Sequence, residues 1–238
     1  MNKKVTISII SIFIALALIA GVTAVFMVSA QNKEEGKLAE LFCKADLLYH
    51  PEVATNINVS QVPNFTDQQK ADLKEQYKDK LNEFYSIRSQ TRQSYIKIMD
   101  NILNTKADEK YDCFVDAGIF SYEVQDVNIT GDTAKMTIML TIWSKSITEN
   151  EDKTEFYVTF PVGEQTYHVD FVKEDGVWKV MESDVFNYQM NGDYDKSAVF
   201  SSFDEAMEYA NATMPENVCA KDVDTQAETE TETEAEAA

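Results

Sequence analysis

Apolar residues fall into two different rhythms along this chain. Over residues 37–50 they recur every three or four positions, with Leu38, Leu41, Phe42, Ala45, Leu48 and Tyr49 on one stripe. That spacing predicts a helix, ended by Pro51. His50 then sits where a cationic imidazole interacts well with the helix dipole. Residues 51–65 hold Pro51 and Pro63 without a clear period and read as a loop. Thr66 to Gln69 form a capping-box pattern, with Thr66 as N-cap and Gln69 three residues on. Leu73, Tyr77, Leu81 and Phe84 continue the helical spacing, as do Tyr95, Ile98 and Ile102. Arg88 and Thr91 interrupt the stripe between the two sets. One helix to about residue 104 and two shorter helices both fit.

The period changes to two after about residue 111. Phe120, Tyr122 and Val124 alternate with polar neighbours, and a turn follows at Thr130, Gly131 and Asp132. Ala134, Met136, Ile138, Leu140 and Ile142 make the cleanest strand. Phe156, Val158 and Phe160 make a third strand, and Tyr167, Val169 and Phe171 a fourth. A tight turn at Glu174, Asp175 and Gly176 leads to a fifth, which contains Trp178 and Val180. Short connections between successive strands predict an antiparallel meander. Ser202 to Glu205 is a second capping-box pattern and opens a short helix to about residue 213. The fold class is therefore α+β: N-terminal helices packed on a curved antiparallel meander of four to five strands.

The two ends differ from this middle. Residues 5–30 form an uncharged run of 26 residues behind Lys3 and Lys4. As a helix it would extend about 39 Å, enough to cross a bilayer. The basic flank at 1–4 stays in the cytoplasm, so residues 31–218 are expected outside as an extracytoplasmic domain. The rival reading is a signal peptide cleaved after Ala30, since Val28, Ser29 and Ala30 form a small-residue site. The run exceeds the usual signal core, which favours an anchor in the cell membrane. Residues 219–238 repeat Glu and Thr, hold seven acids from Asp222 onward and have almost nothing to bury, so they read as a disordered acidic tail.

Charge narrows the function more than it names it. The chain carries 41 acids against 21 Lys and Arg, a net charge of −20. Residues 1–30 hold two lysines and no acid, so the exported part carries −22. Nucleic acid is excluded as a partner by repulsion from phosphate. Nucleotide and phosphate-binding loops are absent, and so is a hydrolase nucleophile motif. No cofactor is implied.

Two segments carry a family resemblance. Residues 124–134, VQDVNITGDTA, and residues 169–180, VDFVKEDGVWKV, resemble strand–turn–strand units of the nuclear-transport-factor-2-like superfamily, the cystatin-like or SnoaL-like cones. They are similar in particular to its bacterial exported or membrane-anchored members. The resemblance covers roughly residues 37–187 and implies a cone of helices on a curved sheet. Some enzymes of that superfamily hold a buried His and Asp in the cone, which singles out His168 and Asp170 as a candidate pair.

The alternation of strand four argues against that pair. Tyr167, Val169 and Phe171 are the more apolar set and take the buried face, leaving His168 and Asp170 toward solvent. Asn191, Asp193 and Asp195 have the spacing that begins a calcium loop, but Lys196 stands where glycine is needed and Ser202 where glutamate is needed. Cys43 and Cys113 are the disulfide pair to test, in a compartment that would permit one. Trp178 is expected in the core. The favoured function is non-enzymatic, a membrane-anchored domain that binds a small molecule or another protein at the cell envelope. A structural subunit of an envelope or secretion assembly is one alternative. A cone-pocket enzyme of isomerase or dehydratase type, using His168 and Asp170, is the other.

Overall fold

The structure, a computed structural model, describes residues 33–57, 59–105, 113–150, 152, 154–190 and 196–213. The chain divides into two compact units, Met1–Ala39 and Glu40–Ala238. Of the first, residues 33–39 are described, and they are helical. Among the described residues no helix is long and apolar enough to cross a membrane. The 5–30 run, the 1–4 start and the 219–238 tail lie outside them.

The second unit opens with helical residues 40–46 (α1), followed by a 3-10 turn Leu47–Tyr49. Pro51 does not merely stop that helix. It stands at the first position of a new one, Pro51–Thr55 (α2), where a missing N–H costs nothing. A further 3-10 turn spans Val59–Asn64, so the segment expected to be a loop is largely helical. The Thr66 capping box forms, with Gln69 N–H bonding the Thr66 hydroxyl at 3.2 Å and Gln69 Oε1 accepting the Thr66 N–H at 2.9 Å. It opens α3, Asp67–Phe84. The second option of the sequence holds here: the chain leaves the helix at Tyr85 and re-enters at α4, Gln90–Leu103, capped by Ser89.

Six strands follow: β1 Cys113–Thr130, β2 Thr133–Glu149, β3 Phe156–Thr159, β4 Val162–Glu174, β5 Val177–Met190 and β6 Lys196–Phe200. All pair antiparallel. Their arrangement is simpler than six strands suggests. β3 and β4 both lie along β2, and one register runs through both, from Glu149↔Phe156 to Thr133↔Val172. They are one lane interrupted at Phe160 and Pro161, where proline has no N–H for the ladder. β5 pairs with β4 and β6 with β3, so these two share the next lane. The meander thus has four lanes, and β6 is the strand missed from the sequence. Bulges in β1 and β5 give the long strands their curvature. The β4–β5 turn has Asp175 at φ 50° and Gly176 at φ 82°, a two-residue hairpin that favours glycine at its second position.

Two faces of this sheet are buried in different places. Ala134, Met136, Ile138 and Leu140 are buried and pair with Phe171, Val169, Tyr167 and Gln165. Phe42 of α1 meets the Tyr167 ring edge-on at 5.0 Å, and Tyr85 bridges to Val180, so α1–α4 cover this inner face. Past Leu140 burial switches to Trp143, Lys145 and Ile147, which point the other way. A last helix, Phe203–Ala212 (α5), covers that outer face with Ala206 and Ala210 against Cys113, Ile147 and Val158. The Lys145 ammonium ends α5 by donating to Ala210 O at 3.0 Å and Thr213 O at 2.6 Å. Burial lowers the pKa of Lys145, opposed by the charge of Asp116.

Candidate ligand-binding site

The inner face runs on beyond Leu140 as Ile142 and Ser144, and there it lines a cavity of about 680 Å³. β4 adds Gly163, Gln165 and Tyr167 to its wall, and β5 adds Glu182, Ser183, Val185 and Tyr188. The end of α1 and the following turn contribute Asp46, Tyr49 and His50, and the first turns of α4 contribute Thr91, Ser94 and Tyr95. Aromatic rings supply much of this lining. Tyr49, expected on the core stripe, is instead 53% exposed and lines the cavity from the helix end. Val185 and Tyr188 are exposed beside the same space.

Asp46 is the chemically unusual member. It is the last residue of α1, on the edge of the apolar stripe, and only 8% exposed. The Tyr167 hydroxyl donates to its Oδ2 at 3.2 Å. The same phenol oxygen also lies against the Gln165 side-chain amide. A phenol has one proton to give, so with that proton on Asp46 the Gln165 side chain serves better with its NH₂ turned toward Tyr167. Burial pushes the Asp46 carboxyl up to about 6, against the Tyr167 hydrogen bond and the His50 charge, which both lower it. Around pH 6 this carboxyl is therefore poised between its two forms.

Tyrosines hold α1 in place around it. Tyr85 donates to Ala45 O at 3.2 Å and Tyr77 to Leu48 O, so two phenols satisfy carbonyls that the helix end leaves open. Tyr49, Tyr95 and Tyr85 follow one another edge-on, with centroids 5.7 and 5.6 Å apart. Burial raises the pKa of Tyr85, Tyr95 and Tyr167, and the Asp46 charge adds to it in each case. These phenols stay protonated. His50 is the C-cap of the 3-10 turn, its backbone N–H donating to Leu47 O, and it starts α2 without a side-chain cap bond there. Its ring packs on Phe114 at 4.6 Å, and its Nδ1 is 3.9 Å from Glu52 Oε1.

Two glycines make room for rings. A Cβ on Gly118 would lie 2.5 Å from Trp143 Cζ2, so the indole lies across that backbone on the outer face. A Cβ on Gly163 would meet the Tyr188 ring at 3.1 Å. Glu182 has a structural task, because its carboxylate accepts Gln90 N–H at 2.8 Å and Thr91 N–H at 3.3 Å at the start of α4.

The residues singled out from the sequence lie elsewhere. His168 and Asp170 point to the outer face and do not line the cavity. His168 stacks on Phe186 at 4.0 Å and is 3.8 Å from Asp184, and Asp170 pairs with Lys135 at 3.3 Å. Phe186 is the extra residue of a β5 bulge opposite Thr166 and Tyr167, which is how it reaches that face. Cys43 and Cys113 are buried thiols and not a disulfide. Cys113 packs in the cluster under α5, on the face opposite to α1, which separates the two. Asn191, Asp193 and Asp195 lie outside the described residues. Among the described residues of 73–102, Ile87 in the turn between α3 and α4 is the large hydrophobic that is exposed. The sequence does not single out Asp46, because a charged residue beside an apolar stripe reads as solvated. Its signal was the spacing of four to His50, with Tyr49 between.

No protein-family model matches this sequence, and no curated protein does. Among solved structures, the chain is similar to the intermembrane-space region of the chloroplast protein ARC6, at 13% identity over 45% of this chain and 76% of that one, with a TM-score of 0.36. It is also similar to a LinA-type3 hexachlorocyclohexane dehydrochlorinase from Novosphingobium barchaimii LL02, at 10% identity over 67% and 94%, with a TM-score of 0.28. TM-scores of this size do not establish a common fold.

Proposed function

We propose that this chain is a membrane-anchored extracytoplasmic binding domain whose cavity takes up a small, largely apolar molecule and releases it unchanged. One observation carries the reading: a cavity of about 680 Å³ with aromatic walls and a buried, adjustable carboxyl at Asp46. Ligand pockets typically measure about 300–1,000 Å³ and combine apolar walls with a few polar groups. A carboxyl withdrawn from water costs stability, so its place beside a cavity favours use over structure. The uncharged run at 5–30 behind Lys3 and Lys4 supports an anchor that leaves residues 31–218 outside the cell membrane. The cone superfamily suggested by the two turn segments fits this use of the concave face.

A second reading rests on the placement of Asp46 and His50, an acid and a base that both line the cavity. It makes the domain an acid–base enzyme through this pair instead of His168 and Asp170. A bound compound that is chemically changed, and that stays unchanged in both Asp46→Asn and His50→Gln, would favour it.

The binding reading is tested with the fragment from Gln31 and the neutral dye N-phenyl-1-naphthylamine. Dye emission should rise saturably with the wild-type fragment. Ser94 lines the cavity from an exposed helix position, so Ser94→Phe should fill the space, abolish that rise and leave the circular dichroism spectrum unchanged. Equal dye binding by both proteins would place the dye on the surface and overturn the reading.

A further inference from the structure

We propose, resting on the binding reading above, that the ligand is an organic cation: an ammonium head held against Asp46, with an apolar or aromatic body filling the rest of the cavity. The charges of the lining point this way. Its acids are Asp46 and Glu182, His50 is its one basic residue, and no Lys or Arg lines it among the described residues. An anionic ligand would be buried beside two carboxylates without a fixed cationic partner, which is strongly unfavourable.

The two acids are not equivalent. Glu182 is occupied, with both carboxylate oxygens on the backbone N–H groups that open α4. Asp46 receives one side-chain hydrogen bond, from Tyr167 to Oδ2, among the described residues. Asp46 lines the cavity with acceptor capacity that the Tyr167 bond does not use, and a buried carboxylate gains most from an opposite charge. The rings around it are of the right kind. Tyr95 and Tyr167 are buried protonated phenols, and Tyr49 and Tyr188 line the same space. Aromatic faces attract an ammonium group and do not attract an anion. A neutral ligand would be served as well by an asparagine at position 46, which would avoid the cost of burying a charge. Over longer distance the net charge of −20 draws cations toward the domain.

The test uses the full chain in nanodiscs of zwitterionic lipid, with empty discs as blank, and isothermal titration calorimetry. Three probes share one aromatic body and differ in charge: benzyltrimethylammonium, N,N-dimethylbenzamide and phenylmethanesulfonate. The permanent cation should bind with one site and at least about tenfold more tightly than the amide, and the sulfonate should not bind. Asp46→Asn should weaken the cation at least about tenfold and leave the amide within about twofold. Asp184→Asn removes the same charge from the outer face and should leave both within about twofold, which separates a local contact from the overall field. If amide or sulfonate binds wild type as tightly as the cation, or if Asp184→Asn weakens the cation as much as Asp46→Asn, the cation proposal fails while the binding reading stands. If none of the three binds, the proposal fails too, and the dye experiment then decides the binding reading separately.

Discussion

The Tyr167 hydroxyl reaches 3.2 Å to Asp46 Oδ2 and so ties β4 to the end of α1 across 121 residues of sequence. This contact puts a carboxyl where the helices end and the cavity begins. It offsets part of the cost of burying Asp46 and leaves the remainder as a pH-dependent strain on the fold.

That remainder has a definite sign. The folded-state pKa of Asp46 is raised from 3.8 to about 6, so folding favours the protonated form. The stabilising contribution is complete below the unfolded value and is lost as pH rises through about 6. By linkage the loss amounts to about 3 kcal/mol. Asp46→Asn keeps an acceptor for Tyr167 and removes the titration. Urea unfolding at pH 4 and pH 7 should show the variant gaining on wild type by up to about 3 kcal/mol between the two, with the gain concentrated between pH 4 and 6. An unchanged difference would mean that Asp46 is solvated.

Gly118→Ala should disturb the aromatic packing of Trp143 on the outer face more than the fold elsewhere. The added methyl would enter the Trp143 ring, which is rigid and itself packed between Phe120 and Phe160. Overpacking of this kind costs about 1–3 kcal/mol. In a Trp178→Phe background Trp143 is the sole tryptophan, and its emission should shift on the Gly118 substitution. No shift would show that the indole does not lie on that glycine.

Lys145→Met should release α5. Three buried or half-buried acceptors, Ala210 O, Thr213 O and Thr213 Oγ1, would lose their donor. The expected loss is about 1–3 kcal/mol, seen as faster amide exchange over residues 203–213 with the β2–β4 amides unaffected. Uniform loss of protection would contradict a local docking role.

Trp178→Ala should cost about 3–5 kcal/mol and His168→Ala no more than about 0.5 kcal/mol in urea unfolding. Trp178 is 9% exposed, with the Lys173 ammonium 4.6 Å from its ring centroid, whereas His168 is exposed on the outer face. Equal costs would mean that the β4 faces are the reverse of those described.

Local signals in the sequence carried much of the fold. The Thr66 and Ser202 caps, the alternation through Ala134 to Leu140 and the Asp175–Gly176 hairpin are each short-range patterns with short-range causes. Longer-range effects were less legible. Pro51 starts a helix because it follows a complete turn, which spacing alone does not show. β3 and β4 read as separate strands although one register runs through Pro161, because register lies in the partner strand. β2 changes its buried face after Leu140 where Phe120 and Phe160 pack on Trp143 and where α5, about 60 residues later, covers Ile147. Of the site, strand parity correctly sent His168 and Asp170 outward. Asp46 became visible only when Tyr167, Tyr95 and Tyr85 were brought around it from distant parts of the chain.

The most direct test of the account is the ¹³C resonance of the Asp46 carboxyl followed against pH, first in the free protein and then with N-phenyl-1-naphthylamine bound. A midpoint near 6 is expected in the free protein. A higher midpoint is expected with dye, because an apolar ligand displaces water from beside the carboxyl and disfavours its charge. A midpoint at the ordinary aspartate value, unmoved by the dye, would contradict it: Asp46 would be solvated and the cavity would not be where the ligand binds.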